Sequence, residues 1–469
     1  MFRIFGPPGT GKTTKLLNLV DKHLEAGVEP TNIAFLAFTR KAAEEARERA
    51  AARFNLDPKQ DLFFFKTLHS LALAMTDIRT DQVMQPEHYR ELGKSIGVNL
   101  GAAADNRFSD IPETQKSSDP ILGLINLAIL RKVPLRTQYN ISQIDESWNV
   151  VKYVDEALTK YKKSYTLYDF TDMLRVFAET GQSCCPRFAV TFLDEAQDLS
   201  PLQWDIAHML DRQSERMYCA GDDDQAIYRW AGADVDQFIG LEGGSETLSQ
   251  SYRVPQLPWE IAQNVARRIH RRFPKTYKPR DERGMVRRIS MVNELDMSEG
   301  SWLILAQAAY LLQDVSSDLK AMGLLFNFRG HRSVSERMSE AINGWEQLRK
   351  DKEISGRAVK SIYSYMSSKD RIKRGFKKLG GLEEDEMFSF DVLVKDYGLL
   401  ATKDMIWHVA MDKMPETDRA YIIAMLRRGE KFNAPPRITV STIHGSKGGE
   451  ADNVILFTDL SPAADESMR

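Results

Sequence analysis

The stretch GPPGTGKTT, residues 6–14, lies between FRIF, which suits a short strand, and TTKLLNLVDKHL, which suits a helix. Gly6-Pro7-Pro8-Gly9-Thr10-Gly11-Lys12-Thr13 fits the pattern G-x-x-x-x-G-K-[ST], in which side-chain-poor residues let successive backbone N–H groups curl around a phosphate. The helix that follows would point its unpaired N–H groups and partial positive charge at the same phosphates. Lys12 would then reach the β- and γ-phosphates, and the Thr13 hydroxyl would ligate Mg²⁺. A nucleoside-triphosphate cradle is the expectation, with Gly6, Pro7, Gly9, Thr10, Gly11, Lys12, Thr13 and Thr14 as its contacts; the loop alone does not name the reaction.

Outward from this loop, short apolar runs rich in strand formers recur: IAFLAF (33–38), FAVTFL (188–193), RMYCA (216–220), WLILA (302–306), RITVST (437–442) and VILFT (454–458). Helical stretches separate them, which indicates parallel sheets covered by helices and an α/β class. At 469 residues the chain is too long for one ordinary core. The runs form two groups, each interrupted by a long helical stretch. The expected organisation is a first sheet from 1–72 and 166–247 with a helical insertion over 73–165. A second sheet follows from 248–333 and 431–469, with an insertion over 334–430. The first insertion contains QPEHYRELGKSIG and a polar linker, NRFSDIPETQKSSDP.

Composition narrows the class. With 42% hydrophobic and 28% charged residues the chain is an ordinary globular protein. No run approaches about 18 consecutive apolar residues and no charged-then-apolar leader opens it, so a cytoplasmic protein without a membrane partner is expected. Cys184, Cys185 and Cys219 form neither a disulfide framework nor a zinc pattern. The net charge of −2 conceals two basic runs, RRIHRRFPKTYKPRDERGMVRR (267–288) and GRAVKSIYSYMSSKDRIKRGFKK (356–378, with interleaved tyrosines). Each reads either as a solvated face or as a set of phosphate contacts.

LDEAQDLSPLQ (193–203) follows the run FAVTF directly, so Asp194 and Glu195 should emerge at a strand's C-terminal end, where ligands bind in open α/β sheets. One acid there can hold Mg²⁺ and the other can polarise an attacking water. LDEAQD, AGDDDQAIYRWAGAD (220–234) and SQSYRVP (249–255) resemble, in that order, motifs II, III and IV of superfamily 1 DNA helicases of the UvrD/Rep type. AFTRKAAEEARERA (37–50) is similar to motif Ia, TLHSLA (67–72) to motif Ib, YDFTDML (168–174) to the family's D-F-x-D-L segment and STIHGSKGGEADNVIL (441–456) to motif V.

The resemblance implies two RecA-like P-loop NTPase domains that clamp ATP between them, each carrying a helical insertion. It further implies that Lys12 and Thr13 bind phosphate and Mg²⁺, that Asp194 holds Mg²⁺, and that Glu195 is the base for water. Gln225 would sense the γ-phosphate, and Arg253 would reach it from the second sheet. Tyr252 would stack on the adenine, with Gly448 and Glu450 completing the nucleotide contacts. On the DNA side Phe38, Thr39, Arg40, His69, Tyr228, Trp230 and His444 are the candidates. Tyr228 and Trp230, two apart, would project from one face of an extended segment as stacking platforms.

The activity expected from the resemblance is that of a monomeric, ATP- and Mg²⁺-dependent helicase or translocase. It would move 3′→5′ on single-stranded DNA and unwind duplex DNA in replication, recombination or repair, alongside proteins of those pathways. The alternatives are a DNA-dependent ATPase that displaces proteins, and a nucleotide-gated DNA-binding protein with little turnover. A further family motif, V-A-x-T-R-A, supplies a second arginine to the γ-phosphate. None of the nineteen residues after Glu450 matches it, so a truncated chain with impaired hydrolysis is also expected.

Overall fold

The computed structural model describes residues 1–101, 119–142, 144–379 and 382–460. The polar linker lies outside the described residues except for Asp119 and Pro120, as do the last nine residues of the chain. Asp119 caps the helix Pro120–Leu130, its carboxylate accepting from the backbone N–H groups of Ile121 and Leu122.

The chain divides into two units, Met1–Arg287 and Arg288–Arg469. In the first, strands β1 (Phe2–Phe5), β2 (Ile33–Ala37), β3 (Phe65–Thr67), β4 (Phe188–Leu193), β5 (Ser214–Gly221) and β6 (Ser245–Thr247) form one parallel sheet in the order β3-β2-β4-β5-β1-β6. Successive side chains of a strand point to opposite faces, so Ile4 enters one core and Phe5 the other. The Ile4 face packs on helices α1 (Lys12–Glu25) and α2 (Arg40–Phe54) through Leu16, Leu17, Val20, Ala46 and Ala50. The Phe5 face packs on α3 (Leu68–Met75) and on the helices Phe170–Cys184 and Pro201–Arg212. A sheet buried on both faces explains why FAVTFL is continuously apolar apart from one threonine, which is itself buried.

Register places the site. Phe5 pairs with Gly221, and Leu193 with Cys219 of the intervening β5. Gly6, Asp194 and Asp222 therefore leave the sheet along one edge. The stretch between β3 and β4 adds the helices Pro86–Ile96, Pro120–Leu130, Leu135–Ile141 and Trp148–Tyr165, which have an apolar core of their own around Leu124, Ile125, Val151 and Val154.

In the second unit β7 (Trp302–Ala306), β8 (Phe326–Phe328), β9 (His331–Arg332), β12 (Ile438–Thr442) and β13 (Asn453–Leu456) form a sheet ordered β13-β7-β12-β8-β9, parallel except for the β8–β9 pair. A separate antiparallel pair joins β10 (Ile354–Ser355) to β11 (Met387–Phe388). Helices between β9 and β12 share one continuous core with this sheet, in which Trp345, Ile362 and Met425 join Ile304 and Val440. Among the described residues no helix is long and apolar enough to cross a membrane.

One boundary differs from the sequence reading. The sequence reading opens its second domain at residue 248, yet residues 248–287 group with the first unit. They contribute no strand to either sheet and are fastened to the phosphate loop and to the segment after β5, as described below. Two tyrosines of the second basic run belong to the core of the second unit. Tyr363 is buried in the core on the helix Gly356–Ser364, its hydroxyl donating to the Tyr397 carbonyl, and Tyr365 packs against the same core.

Candidate active site

The six residues between β1 and α1, residues 6–11, adopt a conformation only their glycines permit. Gly9 and Gly11 have φ of 72° and 77°, in the left-handed region where a side chain is strained. At Gly6 a Cβ would stand 1.8 Å from Lys12 Cγ, so the lysine lies directly across the loop's first residue. Gly11 occupies the N-cap of α1 without a side-chain cap, leaving the first-turn N–H groups oriented for an anion. Thr10 serves the loop itself, its hydroxyl donating to the Pro7 carbonyl at 2.7 Å.

Opposite this loop, β4 ends and the chain turns sharply at Glu195, a non-glycine residue with φ of 53°. The Thr13 hydroxyl donates to Asp194 Oδ2 at 3.1 Å, and Lys12 Nζ lies 3.2 Å from Glu195 Oε1. Gln197, fully buried, ties this turn to the segment after β5. Its Nε2 donates to Glu195 Oε2 (2.5 Å) and Asp198 Oδ2 (3.0 Å), while its Oε1 accepts from the Asp222 backbone N–H (2.9 Å). Gln225 Nε2 in turn donates to Asp222 Oδ2 at 2.6 Å.

Charge and burial set the protonation states. Burial by itself would lower the Lys12 pKa, but the carboxylates of Glu195, Asp222 and Asp194 outweigh it and hold the ammonium charged well above its ordinary range. Burial, reinforced by the Glu195 charge, pushes the Asp194 carboxyl up to about 6 against the pull of Lys12 and Thr13. A buried carboxylate beside a hydroxyl is a hard-oxygen donor pair suited to a cation that completes its shell with water and phosphate oxygens, as Mg²⁺ does. The residues present fit that ion.

Ser251, Tyr252 and Arg253 sit on the same loop, within the first unit. Ser251 Oγ donates to the Pro8 carbonyl at 2.7 Å and the Tyr252 backbone N–H to the Gly9 carbonyl at 2.9 Å. A Cβ on Gly9 would come within 2.4 Å of Arg253 Cβ, so the absence of a side chain is what admits this segment. Arg253 thus lies beside the phosphate loop, within the first unit. Tyr252 is 75% exposed.

The DNA candidates separate by burial. Tyr228 and Trp230 do not lie on an extended segment; Arg229–Ala231 form a 3₁₀ turn with Tyr228 at its N-cap. Their side chains consequently diverge, Tyr228 being 2% and Trp230 52% exposed. Tyr228 is a buttress, its ring 5.6 Å from that of half-buried Phe38. Thr39 is the N-cap of α2, its hydroxyl accepting from the Ala42 N–H, and Arg40 beside it is exposed. His69, on α3, is buried with no hydrogen-bond partner for Nε2 among the described residues. Burial first and then the nearby Arg40 charge lower its pKa to about 4. His444 opens a 3₁₀ turn after β12 in the second unit, where Gly448 has φ of 81° and Glu450 is exposed.

The model of the UvrD/REP helicase N-terminal domain matches residues 2–243, just over half of the chain. The chain belongs to the UvrD/REP helicase family. It is similar to an ATP-dependent DNA helicase PcrA of Leuconostoc citreum, 25% identical over 383 residues that cover 78% of this chain and 50% of that protein. A putative ATP-dependent DNA helicase YjcD of Bacillus subtilis is 25% identical over 371 residues, 76% of this chain and 47% of that one. A probable DNA helicase II homolog of Rickettsia conorii is 28% identical over 302 residues, 57% and 43% of the two chains. The chain thus spans about half the length of these curated relatives.

The UvrD/REP match takes in the phosphate loop, Asp194, Glu195, Gln225 and the DNA candidates of the first unit, and ends before Tyr252 and Arg253. Sequence reasoning missed Gln197 and Asp222, although both lie inside motifs it singled out, because nothing in the polar stretches EAQD and GDDDQ sets them apart from their neighbours. It also missed Lys275 and Arg272, hidden in a basic run. Arg272 makes a two-pronged contact with Asp224, Nε–Oδ1 at 2.9 Å and a terminal nitrogen to Oδ2 at 2.6 Å, and Lys275 is 1% exposed. Part of that run is therefore committed to internal ion pairs and offers nothing to a nucleic acid.

Proposed function

We propose that this UvrD/REP family member hydrolyses ATP with Mg²⁺ at the loop of residues 6–14 and uses the cycle to move 3′→5′ along single-stranded DNA and separate duplex DNA. The supporting observation is the meeting of Thr13 with Asp194 and of Lys12 with Glu195, two pairs drawn from motifs far apart in sequence. In this reading Thr13 and Asp194 hold Mg²⁺, which neutralises phosphate charge when bound. The uncapped start of α1 binds the phosphates, and Lys12 exchanges its Glu195 contact for them. Glu195, released from that ion pair but kept oriented by Gln197, then accepts a proton from the attacking water. Arg253 opposes the charge that develops on the transferred phosphoryl group, and Gln225 reports its presence. Exposed Trp230, supported through Tyr228 and Phe38, offers a face on which bases stack.

The chemistry of the relatives supports the same reading, since the three named above are all described as DNA helicases. Steady-state ATP hydrolysis with and without single-stranded DNA, together with strand separation on a duplex with a 3′ tail, tests the proposal. Stimulated hydrolysis with unwinding supports it. Stimulated hydrolysis without unwinding reduces the activity to translocation or protein displacement, and absence of hydrolysis overturns it.

A further inference from the structure

One buried cation in the first unit has no part in the chemistry just described. Lys275 Nζ stands among three consecutive carboxylates, 3.1 Å from Asp222 Oδ1, 2.9 Å from Asp224 Oδ2 and in contact with Asp223 Oδ1, and only 1% of its side chain is exposed. Burying an ammonium is expensive unless it is fully paired, so its presence here needs a return. The same stretch of chain is fixed by three further contacts. The Phe273 N–H donates to Asp223 Oδ2 (2.7 Å), the Phe273 ring stacks on Phe5 at 3.8 Å, and Arg272 grips Asp224.

Asp222 is the junction. One of its oxygens faces Lys275 and the other accepts from Gln225 Nε2, while its backbone N–H is held by Gln197, the residue that also orients Glu195. We propose that Lys275 is a positioning residue for ATP hydrolysis, fixing the Asp222 carboxylate so that Gln225 is presented to the terminal phosphate. The inference rests on the reading of this site as an ATPase. It adds that the segment 248–287 contributes twice, through Arg253 at the phosphate loop and through Lys275 behind Gln225. Displacement of that segment then disturbs both groups together.

Lys275→Met alone deprives three carboxylates of their shared cation and can unfold the protein, so the informative variant is the charge-balanced Lys275→Met/Asp223→Asn, which keeps Asp222. With saturating single-stranded DNA its kcat should fall by about tenfold or more while KM for ATP stays within about twofold, because the phosphate loop is untouched. Introduced into a Gln225→Ala background, the same pair of changes should cost less than about twofold, since the group it positions is already gone. An equal loss of kcat in both backgrounds, wild-type kinetics in the charge-balanced variant, or failure of that variant to fold overturns the positioning role. Hydrolysis by the wild-type chain is measured alongside. Its absence defeats the ATPase reading and this inference with it, whereas an active wild type with an unaffected variant defeats only the inference.

Discussion

Thr13 and Asp194, 181 residues apart in the chain, meet in a hydrogen bond of 3.1 Å across the edge of the first sheet. Their neighbours Lys12 and Glu195 meet beside them, so the phosphate loop and the acidic turn form one site.

Lys12→Ala should abolish hydrolysis while leaving the fold intact, because the lysine packs over a loop glycine and not in an apolar core. Removing a preorganised charge from the reacting phosphates should lower turnover by about 10²-fold or more. Steady-state ATPase assays alongside a thermal melt check this, and wild-type turnover in the variant defeats the assignment of the loop.

Glu195→Gln should behave differently, retaining nucleotide binding and losing turnover. The acid acts on water, and glutamine can still accept the Gln197 hydrogen bond. Equilibrium binding of a fluorescent ATP analogue, read against hydrolysis, separates the two steps; loss of binding shows that Glu195 holds the nucleotide.

Trp230→Ala and Tyr228→Ala should have opposite signatures, since one ring is exposed and the other buried. The first should weaken single-strand binding by about 1–3 kcal/mol with little change in melting temperature. The second should cost about 3–5 kcal/mol of stability, as large-to-small changes in a core do. DNA titrations and denaturant unfolding of both variants distinguish the roles, and equal DNA affinity of Trp230→Ala and wild type removes Trp230 from the DNA surface.

His69 should make folding stability depend on pH. Its folded pKa, about 4, lies below the ordinary 6.5, so the unfolded chain binds the proton that the native state refuses. The contribution is fully present above 6.5 and is lost as pH falls through about 4, which amounts to roughly 3 kcal/mol across the window. His69→Phe should flatten that part of the profile, measured as denaturant unfolding between pH 4 and 7 against wild type. An unchanged slope shows that the imidazole titrates normally.

Asp194 should act in the reverse sense. Its carboxyl, raised to about 6 from 3.8, favours the folded state most below the unfolded value, and this advantage disappears as pH rises through about 6. Mg²⁺ needs the ionised form, so metal affinity should weaken as pH falls below about 6, by up to tenfold per unit. Mg²⁺ titrations at several pH values check this, and Asp194→Asn should bind the ion weakly at all of them.

The strand, loop and helix around residues 6–14 were legible because their signals are local. Two glycines at positive φ, a helix without a capping side chain and an apolar strand each declare themselves within a few residues. The α/β class followed from apolar runs whose continuity reflects burial on both faces. Asp194 and Glu195 could be placed at a strand's end for the same reason.

The tertiary structure decided what depends on which distant segments meet. Tyr228 and Trp230 are separated by one residue, yet the turn between them buries one ring against Phe38 and leaves the other in solvent. Arg253 and Lys275 lie past the last strand of the first sheet, where the sequence reading began a second domain, but glycine-sized gaps at Gly9 and a buried cluster of aspartates draw them to the first. A basic run looks the same in sequence whether its charges face water or three carboxylates. Burial and pairing are properties of the folded neighbourhood, set by contacts made across some fifty to two hundred and forty residues, and no local pattern of residue types encodes them.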